Sequence, residues 1–178
     1  FQAEDGIRDF CLSRGLGDVY KRQGWGSFSL HVAAKFPESK ITSLSNSIDQ
    51  INFINNQAKT RNLKNINALK MDVNELALNK KFDRILSIEM FEHLRNYQSI
   101  LASLSNLLLE DGKLFIHIFC NKEVAYFYEV KNDLDWMTKY FFLGGIMPSK
   151  DIFSYFNVIH IIFLYVKESL IRLGSQLF

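Results

Sequence analysis

Phe82–Tyr97, FDRILSIEMFEHLRNY, runs from an apolar stretch straight into two glutamates and a histidine. Phe82, Ile85, Leu86 and Ile88 have the pattern of a buried β-strand, uninterrupted by Pro or Gly. Glu89, Glu92 and His93 follow at spacings of three and four, which puts all three on one face if a helical turn starts there. A titratable cluster at the carboxyl end of a parallel strand stands where open α/β sheets bind ligands. This stretch is therefore the candidate site.

Outward from it, the chain alternates strand and helix patterns. Ser27–Lys35 is predicted helical, with Phe28, Val32, Ala33 and Phe36 on one side, and Pro37 punctuates it. A strand is expected over Ile41–Ser45, a helix over Ile48–Arg61 and a strand over Ile66–Met71, ending at Asp72. After the Phe82–Ile88 strand, Tyr97–Leu109 turns Ile100, Leu101, Leu104, Leu107 and Leu108 inward as an amphipathic helix. Asp111-Gly112 is a turn leading into strand Lys113–Phe119. This alternation predicts an α/β fold with a parallel, doubly wound sheet. Right-handed crossovers then bring the strand carboxyl ends to one edge.

Composition narrows the classes. A chain of 178 residues with 48% hydrophobic content suits one domain with a sizeable core. A net charge of +2 gives no argument for nucleic acid or an anionic membrane surface. Cys11 and Cys120 have no partner at metal-ligand spacing, so no disulfide framework and no metal site is expected, and a reducing, cytoplasmic setting follows. The most apolar window, Phe156–Val166, falls short of the ~18 residues of a membrane span, so no stable membrane insertion is expected.

The two ends read differently. In residues 1–23, FQAEDGIRDFCLSRGLGDVYKRQ, the apolar positions keep neither period, and the segment resembles a translated sequencing-library adapter. It is expected to be irregular and is set apart from the domain at 24–156; no strand precedes Gly15-Leu16-Gly17, which denies that triplet the context of a phosphate loop. From about Asn157 the chain becomes Ile-, Leu- and Val-rich without clean periodicity. Residues 157–178 read either as a buried strand followed by a short helix, Lys167–Leu173, or as a foreign tail.

Three features lie on the expected sheet edge. Gly24 and Gly26 let backbone approach a ligand closely, or simply make a tight turn at the helix entry. Ser45-Asn46-Ser47, with Gln50 one turn on, can hydrogen-bond a ribose, while Ser47 suits a helix N-cap. Asp72 can accept from an exocyclic amine or cap Asn74–Leu78. Together they outline a nucleoside site.

GWGSFSLHVAAKFPESKITSLSNS, FDRILSIEMFEHLRNY, KLFIHIFCNK and DWMTKYFFLGGIMPS resemble coclaurine N-methyltransferase-like proteins. That group lies in the cyclopropane-fatty-acyl-phospholipid-synthase-like branch of the S-adenosylmethionine-dependent methyltransferases. The likeness covers about Gly24–Phe156. It implies a Rossmann-like doubly wound sheet, S-adenosylmethionine as methyl donor and an aromatic-rich helical lid over the substrate. By position it implies Gly24 and Gly26 as the tail of the donor loop, Asn46 and Gln50 near ribose and methionine, Asp72 and Val73 near adenine, and Ile88 beside the donor. The family's loop follows a strand and an acidic residue, whereas Arg22-Gln23 precedes Gly24 here, so the first strand is expected to be missing.

Methyl transfer from a sulfonium needs an unprotonated nucleophile, and an aliphatic amine with a pKa of ~10 is mostly protonated at neutral pH. A histidine can take that proton and a carboxylate can stabilise its cation. His93 is thus the expected base, Glu92 its partner and Glu89 a holder of the substrate ammonium, a pairing that the resemblance also implies. Adjacent helical residues do not face each other, so Glu92 and His93 are expected to share the substrate rather than bond directly. The other reading of the three is a solvated helix start. His117 is either a core residue or lines the site; Tyr126, Phe127, Tyr128, Trp136, Tyr140, Phe141, Phe142, Phe153 and Tyr155 form either an aromatic wall for an ammonium, with Trp136, Tyr140 and Phe141 as the substrate candidates, or ordinary core. The expected acceptor is a small amine. The alternatives are lipid modification, as in the cyclopropane synthases, or an inactive fragment with an incomplete donor pocket.

Overall fold

The computed structural model describes residues 9–14, 25–131, 135, 138–142, 144–156, 161–162 and 167–168, of which 9–14, 161–162 and 167–168 are described as backbone. In chain order the elements are β1 (Asp9–Arg14), α1 (Ser27–Lys35), β2 (Lys40–Ser45), α2 (Ile48–Thr60), β3 (Ile66–Lys70), β4 (Phe82–Ile88), α3 (Tyr97–Asn106), β5 (Leu108–His117), β6 (Phe119–Cys120), β7 (Tyr126–Phe127), β8 (Ile146–Met147), β9 (Ile161–Ile162) and β10 (Lys167–Glu168). Six strands form one sheet in the order β3-β2-β1-β4-β5-β9, all parallel. The direction of winding reverses between β1 and β4, the switch point at which such sheets bind ligands.

Helices cover both faces, as the strand periodicity requires. On one face Val32 and Ala33 of α1 pack with Ile41 and Leu86, and α2 contributes Ile51, Ile54 and Ala58 against Leu30 and Ala68. On the other, Ile100, Leu101 and Leu104 of α3 meet Leu44, Ile85, Leu114 and Ile116. Each such buried aliphatic side chain stabilises the fold by roughly 1.5–3 kcal/mol. Asn65 closes the far end of α1: its Nδ2 donates to the carbonyls of Ala33, Phe36 and Ser39 at 3.1, 3.0 and 2.9 Å.

Four expectations need correction. The first strand is not missing: Asp9–Arg14 lies between β2 and β4, with five residue pairs registered on each side. A slot between two parallel strands asks only for an extended backbone whose N–H and C=O groups complete both ladders, a demand that side-chain periodicity does not report. Gly15-Leu16-Gly17 therefore does follow a strand, although the triplet itself lies outside the described residues. At the other end, Lys167–Glu168 is extended and pairs with β6 where a helix start was expected. Ile161–Ile162 joins β5 in the main sheet, as the strand reading of the tail anticipated.

The Asp111-Gly112 turn lies inside β5 rather than before it. Phe82 pairs with Leu108 but Arg84 with Lys113, so the chain between Leu108 and Lys113 is thrown out of register. A Cβ on Gly112 would come within 2.8 Å of the Leu109 carbonyl oxygen, which measures how tightly this excursion folds back. The last correction concerns the helix before it: α3 ends at Asn106 with Leu107 as its C-cap, because Leu108 begins the strand, and the Phe82 N–H donates to the Leu107 carbonyl at 2.8 Å.

Candidate active site

The carboxyl end of β4 leads directly into the titratable cluster. Glu89 has φ 49°, in the left-handed region, and its N–H donates to the His117 carbonyl at 2.8 Å, one step beyond the β4–β5 ladder. A non-glycine residue held there costs of order 1–3 kcal/mol, a form of strain that concentrates at functional sites. Phe91–His93 then forms one 3-10 turn. The expected single helical face is thus corrected: the reversal at Glu89 breaks it before the turn begins. Phe91 anchors the turn, fully buried against Tyr97 and Phe153, with its carbonyl accepting from the Tyr97 hydroxyl at 2.8 Å.

The turn drives Glu92 inward. Its side chain is fully buried, and Oε1 accepts from the Phe119 N–H at 2.9 Å. Oε2 has no hydrogen-bond partner among the described residues. Burial raises this carboxyl from an ordinary 4.5 to about 8, against hydrogen bonds from the backbone amides of Glu92 and Phe119, and the Glu89 charge raises it further. Glu92 is therefore a mainly neutral acid at pH 7. Two more buried polar atoms near the same edge have no hydrogen-bond partner among the described residues: Ser87 Oγ on β4 and His117 Nδ1 on β5. Buried polar groups are nearly always hydrogen-bonded, so this concentration of orphans marks the edge as a place for a polar ligand.

His93 is half-buried, its ring stacked on Phe142 at 5.4 Å and 13°. Phe142 closes the π-helical turn Thr138–Phe142 and stacks in turn on Tyr128 at 4.7 Å, with Phe119 edge-on at 5.4 Å. Burial pushes the Tyr97 and Tyr128 phenols above their ordinary range, and the nearby Glu92 adds to both. Gly145 packs against the Glu92–His93 peptide so closely that a Cβ there would collide with the Glu92 carbonyl. This glycine thus backs the Phe91–His93 turn. Tyr128 and Phe142 belong to the aromatic-rich segment that the sequence offered as a wall or as core; Ser87 was not singled out, and no motif pointed to it.

Around the switch point the donor-side residues are placed as follows. Gly26 has φ 70° as the N-cap of α1, and a Cβ there would run into Ile54, so helix packing explains the glycine. Asn46 is exposed just past β2. Gln50 is buried, with Oε1 accepting from the Ser45 hydroxyl at 2.6 Å, and Ser47 is the α2 N-cap. Asp72 is exposed past β3 and accepts from the Asn74 N–H and side-chain amide at 2.8 Å each, capping the turn Val73–Glu75. Val73 is half-buried against the core, and Ile88 is half-buried at the end of β4, in register with Arg14 and His117. Asn46, Asp72 and Ile88 thus share one edge.

Of the aromatic candidates, Tyr140 is 70% exposed with Lys139 Nζ 5.6 Å above its ring, apart from the His93 stack. Gly24 and Trp136, and the side chain of Phe141, lie outside the described residues. Among the described residues no cluster of His, Cys, Asp and Glu could hold a metal ion, Cys120 is buried, and no helix is long and apolar enough to cross a membrane.

With this geometry in place, the likenesses to known proteins are informative. The chain is 38% identical over 136 residues to (S)-coclaurine N-methyltransferase of Thalictrum flavum subsp. glaucum, a stretch covering 75% of this chain and 38% of that protein. It is 30% identical over 131 residues to the cyclopropane-fatty-acyl-phospholipid synthase of Escherichia coli (strain K12), covering 71% of this chain and 31% of that enzyme. A crystal structure of coclaurine N-methyltransferase bound to N-methylheliamine and SAH superposes with a TM-score of 0.73 at 37% identity, covering 86% of this chain and 43% of that one. The chain thus spans less than half the length of the relatives it matches. The sheet order and this superposition make the fold a Rossmann-like methyltransferase fold. Residues 19–169 match the family model described as mycolic acid cyclopropane synthetase, and the chain belongs to that family.

Proposed function

We propose that this chain carries the donor-binding and catalytic part of an S-adenosylmethionine-dependent methyltransferase, and that its acceptor is the nitrogen of a small amine. The observation that carries the reading is the buried, half-satisfied carboxyl of Glu92 beside His93 and the strained Glu89, on the edge shared with Asn46, Asp72 and Ile88. The residues fit the donor: exposed Asn46 is free to meet ribose hydroxyls, Asp72 stands at the next strand end, and half-buried Ile88 offers an apolar surface between them. Gln50 supports this edge through Ser45. Likeness to the plant N-methyltransferases favours the amine acceptor.

When bound, S-adenosylmethionine supplies a methyl group activated by a sulfonium. The chain's own residues would deliver the amine with its lone pair free. Glu89 attracts the ammonium, His93 takes the proton, and Glu92, once ionised, stabilises the cation that results. With Glu92 near 8, this last contribution grows through mildly alkaline pH.

Labelled donor offered with a panel of amines and with phospholipid tests the acceptor; transfer to lipid and to no amine would sink this reading. The second reading, lipid modification, draws on the family model and the Escherichia coli relative. Methylene-bridged acyl chains on expression would decide for it. A third, that the chain lacks donor binding, has lost one premise, because the central strand position is filled. Calorimetric titration of residues 1–178 with donor tests it, and micromolar affinity refutes it.

A further inference from the structure

We propose that Arg95 is a positioning residue: it clasps the β7–β8 ribbon onto the Phe91–Leu94 turn and so sets the orientation of the His93 ring. The proposal rests on the reading of His93 as acceptor-facing. Arg95 is exposed, yet both functions of its guanidinium are engaged. Nε donates to the Gly145 carbonyl at 3.3 Å, while the flat face lies 4.5 Å above the ring of Phe127. Phe127 and Ile146 are directly paired across the ribbon, so one side chain grips both of its strands.

Gly145 passes that grip to the site. Its backbone lies against the Glu92–His93 peptide, its N–H donates to the Phe142 carbonyl at 2.9 Å, and its carbonyl also accepts from the Tyr128 N–H at 3.4 Å. Phe142 and Tyr128 are the rings stacked beneath His93. The loop therefore holds the ribbon at two points two residues apart, through His93 on Phe142 and through Arg95 on Phe127 and Gly145. With the Arg95 contact removed, the Phe127 strand of the ribbon loses its hold on the turn while the Gly145 packing remains, and the Phe142 ring beneath the imidazole is held less firmly in its plane. Arginine suits the role because its planar fork can donate in-plane while its face covers a ring, two tasks that an ammonium cannot perform together.

The test uses the full chain, isotope-labelled, in Arg95→Ala, Arg95→Lys and Phe127→Leu forms. The readout is the His93 imidazole proton resonance, displaced by the Phe142 ring in the wild type. In Arg95→Ala it should move toward the position of free histidine, with the amide spectrum of β2 and β3 unchanged; Arg95→Lys should restore part of the displacement. If methyl transfer is measurable, kcat should fall about 10–100-fold in Arg95→Ala with the donor KM unchanged, the size expected for a misplaced group. A His93 resonance that stays in place in Arg95→Ala overturns the proposal. Should that variant fail to fold, Phe127→Leu carries the test, and an unmoved resonance there overturns it equally. A wild-type chain inactive on every amine counts against the acceptor reading alone, because the resonance reports on Arg95 without turnover.

Discussion

The two halves of the sheet edge treat their polar side chains in opposite ways. On the β2–β3 side they are satisfied locally: Ser47 caps α2, Asp72 caps the Val73–Glu75 turn, and Ser45 and Gln50 bond each other. On the β4–β5 side, Ser87 Oγ, Glu92 Oε2 and His117 Nδ1 are buried without hydrogen-bond partners among the described residues. The first half is built from caps that any α/β protein needs and can hold a ligand as a secondary use. The second carries buried polar groups that the described residues leave unpaired, which supports the proposal that the reaction is placed there.

The largest expected contrast is catalytic. Glu92→Ala should lower kcat by about 10²–10⁴-fold while calorimetry shows donor affinity nearly unchanged; loss of donor binding as well would merge the two halves. Next comes pH. The Glu92 carboxyl ionises near 4.5 when unfolded and near 8 when folded, so the folded state holds the extra proton between these values. Its stabilising contribution is full below pH 4.5 and is lost as pH rises through about 8. Denaturant melts should therefore show Glu92→Gln gaining up to about 5 kcal/mol on the wild type between acid and alkaline pH, and parallel pH curves would refute the buried-acid account.

A smaller effect is expected at Gly145→Ala, where overpacking against the Glu92 carbonyl should cost about 1–3 kcal/mol and lower Tm by several degrees. The smallest pair discriminates by sign. Asp72→Ala removes a cap and should destabilise by about 1 kcal/mol. Ser87→Ala removes an orphaned buried hydroxyl and should be neutral or stabilise by about 1 kcal/mol. Equal signs in thermal melts would erase the distinction between the two halves.

Much of the fold could be read directly. The helix bounds Ser27–Lys35 and the strand bounds Phe82–Ile88 match the structure residue for residue. Those segments carry clear periodicity over their whole length, and a parallel sheet with helices on both faces follows from their alternation. The misreadings have a common cause. Asp9–Arg14 has no usable period, but as the central strand it answers to two neighbours, β2 and β4, whose residues lie dozens of positions away. The end of α3 was read too far because Leu107 and Leu108 continue its apolar stripe, while Leu107 caps the helix and pairing with Phe82 takes Leu108 into β5.

At the site, sequence alone determined which residue types stand at the strand ends: Asn46 after β2, Asp72 after β3, and Glu89, Glu92 and His93 after β4. These are local facts, set by where apolar runs stop. Only the tertiary structure decided what each group became. Glu92 is a raised, neutral acid because the core closes over it, an effect that outweighs the Phe119 N–H, 27 residues on, holding one of its oxygens. His93 has a fixed ring because Phe142 lies beneath it and Gly145 behind its peptide. Burial and electrostatic environment are sums over neighbours brought together by the whole fold, and no spacing along the chain encodes them.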